Sequence, residues 1–418
     1  MISTRPQPRR APRVPDVGLP GLVAAIAAEI RETGPISFER FMELALYHPT
    51  LGYYTRLVAK PDAEVGAAAT LVEDRIGWSG DYYTSSDVSP VWAQAVLKQV
   101  EQMDRHLGRP DPFTFVEMGA GKGRFARDLL EACRETAPEL FQRLRYVIIE
   151  RSAAMQHAQR RQLAAVVDQV HRVTWLTSVG ELGTDSVVGS FFSNELVDAF
   201  PVHRIRVVGA DVREVFVDEV DGRFVERLQR ASPAVQAHLA HLARLGIRFG
   251  EGTCAELNLR AVEWMKELAR SLQRGFVITV DYGHPAADLY GSARRTGTLL
   301  CYYHQMISED PYTRVGLQDM TAHVDFTTLA RVGEAEGLRT TGFTNQLSFL
   351  MGLGVERIVE RLEPGSAEFQ SVLQLLRPDG MGTTFKVLIQ HKGVQTCDVD
   401  GLRYKPFRKG VLHADHVD

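Results

Sequence analysis

Cysteine is scarce in this 418-residue chain: Cys133, Cys254, Cys301 and Cys397 are the only four, and none lies in a C-x-x-C pair. That spacing excludes a disulfide framework and a zinc ribbon, suits a reducing compartment, and leads us to expect no metal site. Lysine is scarcer still in proportion, since arginine supplies 40 of the 48 basic residues, a bias that suits a GC-rich bacterial genome. No apolar run approaches the roughly eighteen residues that a membrane-spanning helix needs, so no membrane insertion is expected. Excess charge of either sign is also lacking. A net charge of −4 and a pI near 6.4 leave no electrostatic footprint for nucleic acid. The first twenty residues have no acid before Asp16 but carry Arg5, Arg9, Arg10 and Arg13. Pro6, Pro8, Pro12 and Pro15 forbid the amphipathic helix of an import signal. We therefore expect residues 1–20 to be a disordered basic tail and the compartment to be the cytoplasm.

Present in abundance is ordinary core material, with 44% hydrophobic and 24% charged residues. This length suggests two to three domains or one elaborated α/β core. The most informative stretch is Phe113-Thr114-Phe115-Val116-Glu117-Met118-Gly119-Ala120-Gly121-Lys122-Gly123-Arg124-Phe125, an apolar strand running into glycines at two-residue spacing and then into a helix. Glycines let the backbone turn sharply and lie against a ligand. A dinucleotide site expects G-x-G-x-x-G; here the third glycine, Gly123, comes one residue early. Acidic-x-G-x-G-x-G is instead the form typical of S-adenosylmethionine enzymes. Glu117 would face the methionine end of that cofactor. Glu150, ending the strand Arg145–Ile149, would accept the ribose hydroxyls.

The strands Phe113–Glu117, Tyr146–Glu150, Ser186–Ser193 and Gly275–Asp281 are nearly continuous apolar runs, the sign of a parallel sheet covered on both faces. The expected fold is α/β, a Rossmann-like doubly wound sheet with an N-terminal helical part. We divide the chain into the tail, a helical region at 21–110, a core at 111–393 and an extension at 394–418. An insertion at 202–273 reads as a β-meander, Val202–Val208, Arg213–Val217 and Arg223–Leu228, followed by helices near Pro233–Leu245 and Cys254–Gln273. In the N-terminal region, Ser37 is the expected cap of a helix over Phe38–Tyr47. Pro61 to Gly80 is a glycine- and alanine-rich loop, and Ser89-Pro90 opens a helix over Val91–Leu107. Near the C-terminus we expect a helix at Thr328–Glu336 and strands at Thr340–Phe343 and Thr384–Gln390.

Ligands of doubly wound sheets sit beyond the carboxyl ends of the strands. Asn194, Glu195 and Asp198 emerge there from an apolar strand, although such residues also suit a helix N-terminus. Asp281 and His284 end the next strand and would face the same crevice, while His284 could equally be a surface histidine. In Gln318–Phe326, Asp319 or Thr321 would serve as a helix cap, and His323 as a packed histidine or a site residue.

Taken together, several ordered blocks resemble the MidA-like family of class I methyltransferases over roughly residues 20 to 390. They are Gly34-Pro35-Ile36-Ser37-Phe38, Tyr47-His48-Pro49-Thr50-Leu51-Gly52-Tyr53-Tyr54, Gly80-Asp81-Tyr82-Tyr83-Thr84-Ser85-Ser86-Asp87-Val88-Ser89-Pro90, Ser193-Asn194-Glu195-Leu196 with Asp198-Ala199-Phe200-Pro201, Asp281-Tyr282-Gly283, and Asp319 to Phe326. The chain departs from the pattern at Lys122-Gly123-Arg124, at Ser86, and in a longer loop from Lys60 to Trp78. The mitochondrial members act as protein arginine methyltransferases in respiratory complex I assembly, so the resemblance implies a protein substrate and offers the mitochondrial matrix as an alternative compartment. It also implies the fold of a class I methyltransferase, with S-adenosyl-L-methionine held by Glu117, Gly119, Gly121, Gly123, Glu150 and Asn194. Thr84, Ser85 and Asp87 would close over it from the N-terminal part. Glu195 would orient the acceptor arginine and accept its proton, with Asp198 as second carboxylate and His323 in support. Two other readings use the same residues: a small-molecule O- or N-methyltransferase, and a non-catalytic cofactor-binding assembly factor. A nicotinamide dehydrogenase is disfavoured by the glycine spacing, and oligomeric state is left open.

Overall fold

The computed structural model describes residues 17–56, 89–167, 173–395, 398–407 and 411–412. The N-terminal region begins with a helix at Pro20–Thr33 (α1), stopped at Gly34, and a two-residue strand, Ile36–Ser37 (β1). Ser37 then caps Phe38–Tyr47 (α2), its hydroxyl accepting the N–H of Arg40 at 3.1 Å. A helix over Val91–His106 (α3) leads into the core. Residues 17–19, expected in the tail, are instead bridged to Val315: Leu19 N–H donates to its carbonyl at 3.0 Å. Two backbone hydrogen bonds there outweigh the composition of the preceding segment.

The core alternates strands and helices. Phe113–Met118 (β2), buried throughout, is followed by Arg124–Thr136 (α4); then come Leu144–Ile149 (β3) and Ala153–Val167 (α5). Val173–Leu176 (β4) and Val187–Asn194 (β5) complete the first half. The chain leaves the sheet for an antiparallel meander, His203–Val208 (β6), Asp211–Val220 (β7) and Arg223–Arg230 (β8). Cys254–Leu257 (β9) pairs antiparallel with β6, and Leu259–Ser271 (α6) returns the chain to the core. The expected helix from Cys254 is thus corrected: its first turn is a strand, drawn to the free edge of β6, and the helix starts only after the Asn258 cap, whose side chain accepts from Ala261 N–H at 2.9 Å. β1 pairs with β7, which ties the N-terminal region to the insertion.

Leu272–His284 (β10) re-enters the main sheet. A small sheet follows, Leu300–Tyr303 (β11), Met306–Ser308 (β12) and Asp319–Thr321 (β13), then the short Val324–Asp325 (β14). Phe326–Ala335 (α7) is capped by Asp325, which accepts Thr328 N–H at 3.0 Å, rather than by Asp319 or Thr321. Arg339–Asn345 (β15) and Phe385–Lys392 (β16) finish the sheet. Its order is β4-β3-β2-β5-β10-β16-β15, with β14 beside the end of β10. The strands from β4 to β10 run parallel, and β16 is antiparallel to both its neighbours. The chain reverses its direction of travel across the sheet at β2, flanked by β3 and β5. That is a topological switch point, where such sheets open a crevice. Residues 398–402, expected in a separate extension, pack back on α3, with Gly401 N–H donating to Gln99 at 3.0 Å.

Candidate active site

The crevice at the switch point holds a cavity of about 130 Å³, lined among others by Glu117, Gly119, Gly121, Glu150, Asn194 and Glu195. Three strand ends therefore converge as the sheet order requires. The glycine loop is fixed from behind: the Phe125 ring stacks on Phe192, with centroids 4.5 Å apart, which pins the first turn of α4 to the sheet. Gly119 has φ 67°, and a Cβ there would lie 2.7 Å from the Leu196 side chain, so the loop and the turn after β5 pack at glycine distance. At Gly121 a Cβ would meet nothing within 4 Å among the described residues. Gly123, at φ 81°, packs on Gln159.

Glu117 is buried and accepts the Tyr146 hydroxyl at 2.6 Å. Burial pushes its pKa up to about 8, although the Tyr146 hydrogen bond opposes that rise. Glu150 accepts Ser152 N–H at 2.9 Å and Gln159 Nε2 at 3.2 Å, and burial raises it to about 7. Beyond Glu150 a second hollow of about 290 Å³ continues the first. It shares Tyr47, Met118, Gly119, Glu150 and Leu196 with it and adds the apolar walls Val179, Phe200 and Trp264. A polar cradle, a carboxylate at the divide and an apolar slot match the three parts of an adenosyl amino acid.

Across the cavity Asn194 donates from Nδ2 to Glu195 at 2.9 Å, while its own Oδ1 is buried with no partner among the described residues. That orphaned acceptor points to a donor supplied by a ligand. Glu195 is held at φ 53°, left-handed backbone that a glutamate adopts only under local constraint. The constraint is Asp281 at the end of β10. Its Oδ2 accepts the N–H groups of Leu196, Val197 and Asp198 at 3.2, 2.8 and 3.4 Å, and Glu195 N–H donates to the carbonyl of Val280 at 3.0 Å. Asp281 is thus the buried anchor of the turn. Asp198 is buried, and burial with Asp281, Glu195 and Asp319 nearby holds its carboxyl well above the usual range.

His323 does not line this cavity. Its ring lies parallel to that of Tyr282, centroids 6.5 Å apart, and it borders a small polar hollow with Tyr290 and Asp325. Burial lowers its pKa to about 4, so it is neutral at pH 7. His284 lies beside it, 5.3 Å between ring centroids, and likewise outside the cavity lining. Thr84, Ser85 and Asp87 lie outside the described residues.

Three residues important to this geometry carry no signal that the sequence alone reveals. Gln159 bridges Glu150 to the glycine loop. Tyr47 and Tyr54 stack at 5.4 Å and wall the cavity from the N-terminal region, and Tyr54 donates to Asp319 at 2.7 Å. Both tyrosines lie in the family-like block Tyr47–Tyr54, but pattern alone gives them no role. Gln159 sits mid-helix, where one buried polar residue leaves no periodic signal.

Residues 93–344 match a family model described as "Putative S-adenosyl-L-methionine-dependent methyltransferase". A Drosophila melanogaster relative, "Protein arginine methyltransferase NDUFAF7 homolog, mitochondrial", is 26% identical over 91% of this chain and 86% of its own. Its Homo sapiens counterpart is 23% identical over 88% and 83%. Among solved structures, a COG1565 superfamily member from Burkholderia thailandensis bound to S-adenosyl-homocysteine is similar with a TM-score of 0.80 and 29% identity, over 92% of this chain and 95% of that one.

Proposed function

The chain belongs to this family of S-adenosyl-L-methionine-dependent methyltransferases, and we propose that its methyl acceptor is an arginine side chain of a protein. The observation that carries the reading is Glu195: a carboxylate held in left-handed backbone at the cavity, backed by the buried Asp198. Strain of this kind persists where function needs the geometry. The relatives named protein arginine methyltransferases, alike over most of both chains, support the same acceptor.

The cofactor would lie with its adenosyl part between Glu150 and the apolar hollow and its methionine end toward Glu117, Gly119 and Gly121. It supplies an electrophilic sulfonium methyl, transferred with the C–S electron pair leaving on sulfur. A guanidinium is protonated and delocalised at neutral pH, so the protein must make one nitrogen nucleophilic. Glu195 takes charge-assisted hydrogen bonds from it, localises the charge and receives the nitrogen's proton on a carboxylate oxygen. Asn194 Nδ2, 2.9 Å from Oε1 of Glu195, fixes the direction of that carboxylate. Asp198 is the second carboxylate behind Glu195, its proton affinity raised by burial and by its acidic neighbours. The proposed compartment is a reducing one, cytoplasm or mitochondrial matrix, and cell fractionation decides between them.

The test is incubation of the purified protein with methyl-labelled cofactor and a native protein extract, followed by hydrolysis and chromatography. Label is expected in methylarginine. Glu195→Gln is expected to cut transfer by about a hundredfold or more, the scale of a lost general base, while S-adenosylhomocysteine affinity stays within a few fold. Label confined to small metabolites overturns the arginine acceptor, and loss of cofactor affinity in the variant overturns the role of Glu195.

A further inference from the structure

The small sheet β12-β11-β13 has two unlike faces. In antiparallel pairs, directly opposed residues share a face. Cys301 opposes Ser308 and Met320, and Cys301 and Met320 are buried in the core of the N-terminal region. Tyr302 opposes Ile307 on one side and Asp319 on the other, which makes a row across the second face. Its inner end adjoins the site: Asp319 accepts the hydroxyl of Tyr54, a wall of the cavity, at 2.7 Å. Exposure then rises outward. Asp319 is buried, Tyr302 is half-buried, and Ile307 is 65% exposed. The next residues along the chain, Glu309 and Asp310, are exposed acids.

An exposed isoleucine at the far end of a row that starts at the catalytic crevice, with acids beside it, is placed to meet a chain that is apolar at one point and cationic at another. We propose that this face of the sheet is the acceptor-docking surface, and that its occupant is an extended segment of the acceptor protein carrying an apolar side chain onto Ile307 and its arginine into the crevice. The proposal rests on the arginine acceptor above. Two strand spacings of about 4.8 Å separate Ile307 from Asp319, a span of about three extended residues. The apolar residue therefore lies three or more positions from the arginine. Continuity with the cavity and charge complementarity favour this occupant over a second copy of the chain, which would have to match its own acids.

The experiment uses synthetic peptides with one arginine in a glycine–serine background and one leucine moved through successive positions, alongside the native extract. The full-length protein should methylate best the peptides with leucine three or more residues away. Ile307→Asp should raise KM for those peptides at least fivefold, leaving the leucine-free peptide and S-adenosylhomocysteine affinity unchanged. Met306→Asp, exposed on the opposite face, should behave like the unsubstituted protein. Methylarginine in the extract with no labelled peptide, no leucine preference, or an equal effect of both substitutions removes the docking surface and leaves the arginine acceptor standing. Absence of methylarginine everywhere removes the acceptor reading and this one with it.

Discussion

Gln159 donates from Nε2 to the carboxylate of Glu150 at 3.2 Å and also to the carbonyl of Gly121 at 2.9 Å. Its Oε1 accepts the indole N–H of Trp175 at 3.1 Å. One buried amide on α5 thereby sets the distance between the glycine loop and the end of β3, and braces both against β4. The two halves of the proposed cofactor cavity are held in register by a residue outside the cavity lining.

Gln159→Ala leaves Gly121 C=O and Trp175 N–H without this partner in a part-buried setting, where water offsets part of the about 1–3 kcal/mol that a buried unpaired group costs. We expect a stability loss of roughly 2 kcal/mol and about a tenfold weaker affinity for S-adenosylhomocysteine. Denaturant unfolding and calorimetric titration measure the two. Unchanged affinity alongside reduced stability would make Gln159 a core residue only.

Asp281→Asn should be more damaging than its size suggests. The carboxylate accepts four N–H groups, those of Leu196, Val197 and Asp198 and its own neighbour Tyr282. An amide can keep its oxygen toward the three N–H groups of the turn only by setting its NH2 against Tyr282 N–H, donor facing donor, so the anchor of the turn carrying Glu195 is weakened. Loss of transfer is expected together with a stability cost of about 3 kcal/mol, within the range for a broken buried charged network. A variant with full transfer and an unshifted unfolding midpoint would show that the turn holds without it.

Strands β2, β3, β5 and β10 were legible because burial on both faces writes continuous apolar runs into sequence, and α2 because Ser37 precedes an amphipathic decamer. β4 was missed: Val-Thr-Trp-Leu is four residues long and half-buried at the sheet edge, too short for a periodic signal. The sheet β11–β13 was missed because it pairs residues across loops, which local pattern does not record. Asp281 could be placed at a strand end from sequence, but its function depends on three N–H groups more than eighty residues away in the chain. The same holds for the row from Asp319 to Ile307.

Stability should fall as pH rises above 6.5. Glu117 is raised to about 8 and Glu150 to about 7, chiefly by burial. In the unfolded chain both ionise near pH 4.5, so between that pH and 8 the folded state binds more protons and loses stability as they leave. His323, His284 and His238, lowered to about 4, 3 and 4 by burial, act oppositely, but most of their effect falls below about 6.5, where the unfolded histidines are half or more protonated. From 6.5 to 8 the carboxyls prevail. Thermal melts of the cofactor-free protein should show a lower midpoint at pH 8, and Glu117→Gln, which can still accept from Tyr146, should flatten the slope. A midpoint that rises over this window contradicts the assignment.

Glu195→Gly separates the two things this residue does. A left-handed backbone at φ 53° costs a non-glycine residue about 1–2 kcal/mol, and glycine removes that cost while losing more freedom on folding, about 0.5–1 kcal/mol. Removing the carboxylate also relieves repulsion with the buried Asp198, whose carboxyl it helps to raise. The variant should therefore fold with stability equal to the parent or up to about 1 kcal/mol higher, while methyl transfer is abolished. Natural chains keep a strained, charged residue where a glycine would be easier only if the charge is used. Unfolding midpoints and single-turnover methylation on the same preparation test this directly. A midpoint several degrees lower would mean that the Glu195 carboxylate holds the turn together, and the proton-accepting role would pass to Asp198.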